Sequence, residues 1–89
     1  MTIDVCGKPF NVVYREPIGR TDDNCGESDC KAAVITLDKT MPALMRDSTL
    51  IHEWLHAVLT SNAIEHPETL VAVLENELYR AGFRVKVGK

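Results

Sequence analysis

The chain is predicted to be an α+β domain in which an antiparallel three-stranded sheet packs on two helices, in the order β-β-β-α-α, with room for a short C-terminal strand. Three observations lead there. Runs rich in β-branched and aromatic residues lie mainly in the first half of the chain. Two segments with helical apolar periodicity follow, punctuated by Pro and Gly. With 89 residues there is space for a single domain over 1–89 and no second module, and such a chain buries only roughly 60 to 65% of its unfolded surface.

The opening strand is expected at 3–5 (Ile3, Val5), followed by a turn through Cys6, Gly7, Lys8 and Pro9 and a second strand at 10–14 (Phe10 to Tyr14), together a hairpin. Residues 16–30 carry Pro, two Gly and many acidic or amide side chains, so they read as a long loop beside the cleft. A third strand is expected at 32–37 and is the candidate edge for an added peptide strand. Asp38 to Pro42 then forms a turn, and 43–46 a short helical turn.

The first helix is expected over 49–60, TLIHEWLHAVLT, with Asp47 and Ser48 as N-cap candidates and Ser61-Asn62 at its end. Its broad apolar surface (Leu50, Ile51, Trp54, Leu55, Val58, Leu59) marks it as buried. The second helix is expected from His66-Pro67 to Ala81, because proline is tolerated where its missing N–H is not needed and Gly82 stops the run. Phe83, Val85 and Val87 then alternate like a short strand.

Inside the first helix, His52, Glu53 and His56 spell HExxH. Residues four apart on a helix differ by only about 40° in direction, so the two imidazoles can bind one ion. A catalytic Zn²⁺ takes three protein ligands and keeps one position open. Glu53 is not a ligand in this arrangement; it is the candidate general base for an attacking water. Chance occurrence of so short a pattern is common, and its weight here comes from the apolar setting and a nearby third ligand.

Candidates for that ligand lie on or near the second helix. Glu75 falls at the margin of its apolar stripe, beside Val71 and Leu78, where a carboxylate is costly unless paired or metal-bound. It is the first choice, against the alternative of a rim glutamate reaching water. Glu68, two turns earlier on the same side, is an alternative ligand or a partner for a histidine N–H. His66 is another alternative, although Leu59 and Asn62 stand where a metzincin would need glycine and histidine. On this ranking Glu75→Ala abolishes zinc binding and Glu68→Ala does not. Tyr79, one turn after Glu75, is a candidate oxyanion stabiliser, weighed against a packing role at the core edge.

Apolar residues make up 45% and charged residues 26% of the chain, the proportions of a globular protein. Net charge is −3 with no basic cluster, which argues against nucleic-acid binding. No segment has the apolar length of a membrane span, and the N-terminus lacks a signal pattern, so a cytoplasmic protein without membrane attachment is expected. Cys6, Cys25 and Cys30 form an odd set without a disulfide framework; free thiols are the default, with a Cys25 to Cys30 bridge as the alternative.

The segments IDVCGKPFNVVY, AAVITL, TLIHEWLHAV and ETLVAVLENEL together resemble the small zincin-type, gluzincin-like HExxH metallopeptidases of phages and mobile elements, related to the ImmA/IrrE group and to minigluzincins. The resemblance spans nearly the whole chain, but only TLIHEWLHAV is specific. It implies a zincin-like fold, zinc held by His52, His56 and Glu75, Glu53 as the base, and a peptide or protein substrate. The chain departs from ImmA-like proteins in lacking their EAxxFA helix motif and any DNA-binding or sensor domain, which leaves substrate and biology open. The expected function is zinc-dependent peptide hydrolysis. The competing expectation is a non-catalytic module in which the metal braces the fold and the sheet edge or loop binds a partner protein.

Overall fold

The computed structural model describes residues 1–16 and 26–88. Seven elements follow one another: β1 (Thr2–Val5), β2 (Lys8–Arg15), β3 (Gly26–Asp29), β4 (Val34–Asp38), α1 (Ala43–Ser61), α2 (Glu68–Arg80) and β5 (Val87–Gly88). The architecture is α+β, as expected, but the sheet is mixed and five-stranded rather than antiparallel and three-stranded. Its order is β3-β4-β2-β1-β5. β2 and β4 run parallel, with Val12 opposite Ile35 and Tyr14 opposite Leu37, and the other neighbours are antiparallel.

The β1-β2 hairpin closes at Val5 and Lys8 through Cys6 and Gly7, both with positive φ (53° and 86°). That is the conformation of a type I′ turn, whose twist matches the flanking strands. Gly7 donates its N–H to the Asp4 carboxylate at 3.1 Å.

The expected loop over 16–30 contains a strand at its end. β3 pairs with β4, Glu27 lying opposite Thr36, and β3 rather than 32–37 forms this edge of the sheet. Asp29 organises the turn into β4 by accepting the N–H groups of Lys31 and Ala32, each at 3.0 Å. Cys6 and Cys30 are free thiols, and the bridge considered between Cys25 and Cys30 involves a position outside the described residues.

Alternation along the strands puts Ile3, Val5, Phe10, Val12, Ile35 and Leu37 on one face of the sheet, all almost fully buried. α1 lies across that face, contributing Leu50 and Ala57 to the same cluster. Its other side presents Ile51 and Leu55 to Val71 of α2, with Leu78, Tyr79 and Phe83 packed around them. α1 is thus the middle layer, and α2 touches the sheet only through it. Trp54 joins the two clusters and donates its indole N–H to the Asp4 carbonyl at 2.9 Å.

α1 begins six residues before the expected start. Pro42 (φ −59°) opens it, and the good helix formers Ala43, Leu44, Met45 and Arg46 extend it, so Asp47 and Ser48 lie inside rather than at the N-cap. Both helices end in the same device. After α1, Ile64 donates to Leu59 O and Ala63 to Thr60 O, with Ala63 left-handed at φ 54°; after α2, Phe83 donates to Leu78 O and Gly82 to Tyr79 O, with Gly82 at φ 94°. These are Schellman caps, and glycine is the favoured residue at their left-handed position.

The expected C-terminal strand is reduced to Val87 and Gly88, paired with Ile3 and Thr2. Arg84 fastens the preceding segment by donating to Tyr79 O and Phe83 O and by stacking 4.0 Å from the Tyr79 ring. Among the described residues, no helix is long and apolar enough to cross a membrane.

Candidate metal centre

The HExxH spacing does on α1 what helical geometry requires. The rings of His52 and His56 lie 4.8 Å apart between centroids, and their Nε2 atoms are 3.2 Å apart. Residues 62–67 turn the chain back, so the first turn of α2 brings Glu68 over the pair. Its Oε1 lies 2.6 Å from His52 Nε2, and its Oε2 lies 3.1 Å from His56 Nε2. Ligand-type atoms of His52, His56 and Glu68 all fall within 4.8 Å of one another, an arrangement that could hold a metal ion.

Behind this front sits a second set of contacts. Glu75 Oε1 is 2.7 Å from His52 Nδ1. His56 Nδ1 is 2.9 Å from His66 Nε2, and His66 Nδ1 is 2.9 Å from the Ile64 carbonyl oxygen. These contacts assign the tautomers of neutral rings. A carbonyl only accepts, so His66 Nδ1–H donates to Ile64 O, and His66 Nε2 then accepts from His56 Nδ1–H. Likewise His52 Nδ1–H donates to the Glu75 carboxylate. Both Nε2 atoms are left with lone pairs turned toward each other and toward the Glu68 oxygens. Three acceptors that converge this closely repel unless a cation or proton stands among them.

The same crowding shifts the titration of His52 and Glu68. Burial pulls the His52 pKa down, but the Glu75 hydrogen bond and the charges of Glu53, Glu68 and Glu75 outweigh it and raise it overall. For Glu68, slight burial acts upward and is outweighed by its hydrogen bonds to His56 and His52 and by their charges, so its carboxyl is lowered. Such a set matches the donor chemistry of a divalent ion, two imidazole nitrogens and one carboxylate.

Glu53 occupies the adjacent wall. It is 6% exposed, the only buried charged residue among the described residues. Burial raises its pKa from 4.5 to about 7 against the opposing pull of His52, with Glu68, Glu27 and Glu75 adding to the rise. Space for its side chain depends on Gly26 of β3. A Cβ at that position would stand 2.9 Å from Thr36 O and 3.2 Å from Glu53 Cγ. Gly26, Glu27 and Ser28 of β3 face His52, Glu53, His56, Thr60 and Glu68 across a cleft of about 310 Å³.

The structure therefore brings His52, His56 and Glu68 together at Nε2, and puts Glu75 and His66 on the opposite, Nδ1 sides of the two rings. Tyr79 packs in the α1-α2 core beneath Arg84 and does not line the cleft. Gly26 and Ser28 complete the site, and nothing in their short, polar surroundings singles them out in the sequence. The chain matches no family model, no curated protein and no solved structure.

Proposed function

We propose that this chain is a zinc-dependent, gluzincin-like peptidase whose ion is held by His52, His56 and Glu68, with Glu53 as the general base. The observation that carries the proposal is the convergence of three lone-pair atoms on one point beside a buried carboxyl group. Two imidazoles and a carboxylate are a ligand set suited to catalytic zinc. When bound, such an ion supplies Lewis acidity, activating water and polarising the scissile carbonyl. Glu53, buried beside His52 and lining the cleft, takes the proton of the attacking water and returns it to the departing amine nitrogen. Glu75 holds His52 in the ligating tautomer.

Peptide as substrate is supported by β3. Among the described residues it pairs on one side only, with β4, and its Gly26 to Ser28 stretch lines the cleft. An extended peptide added along this edge would satisfy both backbones and lie across the site. The test is Glu53→Gln in the full chain, with zinc content and cleavage of a fluorogenic unfolded protein read together. The variant is expected to keep zinc and lose cleavage. Undiminished cleavage refutes the assigned base, and a wild-type chain that takes up zinc without cleaving any of a peptide library is a metal-braced binding module instead.

A further inference from the structure

We propose that His66 is a positioning residue for the metal centre, making the cap that ends α1 a working part of the site. The inference rests on the metal-centre reading above. Ala63, in its left-handed conformation, turns the chain so that Ile64 donates its N–H to Leu59 O at 2.9 Å while its carbonyl accepts from His66 Nδ1 at 2.9 Å. His66 Nε2 in turn faces His56 Nδ1 at 2.9 Å, the rings tilted by 52°. The backbone carbonyl sets the tautomer of His66, and His66 sets that of His56. The two metal-facing imidazoles are therefore supported differently, His52 by a carboxylate and His56 by a neutral ring anchored on the main chain.

Without His66, the Nδ1–H of His56 has lost its acceptor. The ring is then free to rotate or to carry its proton on Nε2, and either change removes a ligand. A glutamine in the same place supplies an amide oxygen to accept from His56 and an amide N–H to donate to Ile64 O. Charge is not needed for the role; directed acceptance is.

The experiment is a zinc titration against a chromophoric chelator, on wild type, His66→Ala and His66→Gln, with thermal unfolding of each metal-free protein alongside. His66→Ala is expected to weaken zinc binding by about 10 to 100-fold, the usual effect of removing a residue that orients a ligand. His66→Gln is expected to recover most of the loss, and the three metal-free proteins to unfold at similar temperatures. Zinc affinity unchanged in His66→Ala overturns the proposal, as does a His66→Gln variant as weak as His66→Ala. Parallel loss of metal-free stability in both variants assigns His66 a purely structural role and overturns it too. A wild-type chain that takes up no zinc removes the metal centre itself, a failure separate from any result on the variants.

Discussion

Replacing Glu53 by Gln should stabilise the metal-free protein at alkaline pH even as it removes the proposed base. In the fold this carboxyl is raised from 4.5 to about 7, chiefly by burial. Unfolded, it ionises near 4.5. Between those values the folded state therefore holds a proton that the unfolded chain has released, and stability falls as pH rises through the window. At about 1.4 kcal/mol for each tenfold change, keeping Glu53 ionised and buried at pH 8 costs the fold roughly 3 kcal/mol. His52 acts in the same direction. Its pKa is raised, so its contribution is complete below 6.5 and is lost as pH climbs through the folded value. Glu68, lowered, contributes above 4.5 and loses that contribution as pH falls through its folded value. Metal-free wild type should thus be most stable in mildly acidic solution and weaken toward pH 8. Glutamine keeps the shape without the charge, so the variant should lose most of this slope and unfold roughly 10 to 20 °C higher at pH 8. Thermal unfolding in chelator at pH 5 and pH 8 decides it. A variant that keeps the wild-type slope, or melts lower at pH 8, refutes the burial argument.

Glu68→Ala should abolish tight zinc binding, whereas Glu75→Ala should weaken it by about 10 to 100-fold, because in the proposed centre one removes a ligand and the other only its neighbour's support; isothermal titration gives the order, and the reverse order relocates the ligand. Gly26→Ala forces β3 away from Thr36 O and Glu53 Cγ, so it should cost about 1 to 3 kcal/mol in urea unfolding and reduce cleavage more than zinc binding. Ala63→Gly relieves a left-handed residue in the α1 cap and should raise stability by about 1 kcal/mol; a decrease in the melting temperature would contradict the cap assignment.

The meeting of His52 and His56 was legible because it needs only helical geometry. Which carboxylate stands over them was left between Glu75 and Glu68, for a reason that follows from the same geometry. Glu68 and Glu75 are seven residues apart, so they point within about 20° of each other and differ mainly by an axial offset of roughly 10 Å. Which of them reaches Nε2 depends on how far α2 slides along α1. That slide is set by residues 62–67, whose left-handed Ala63 carries none of the usual signature of its conformation. His66 was weighed as a ligand because its distance along the chain is readable, whereas its contact with Ile64 O is not.

Sheet topology was the least readable part. β1, β2 and β4 alternate clearly, but Gly26, Glu27, Ser28 and Asp29 lack the β-branched and aromatic residues that mark strands. Their strand exists because β4 offers its edge and because Gly26 lets the backbone approach Glu53. The parallel match of β2 with β4 is a long-range choice that local pattern does not encode. Asp47 and Ser48 misled for the opposite reason, having good cap chemistry inside a helix that Pro42 had already opened. Asp47 instead pairs with Arg84 at 3.4 Å.

The most direct test of the centre is anomalous diffraction at the zinc edge from crystals of the chain grown with one equivalent of zinc. A single peak is expected at roughly 2.0 to 2.2 Å from His52 Nε2, His56 Nε2 and a Glu68 oxygen, with Glu75 and His66 still seated on the two Nδ1 atoms. No peak in the cleft, or a peak bound through Glu75 while Glu68 faces solvent, would contradict the account.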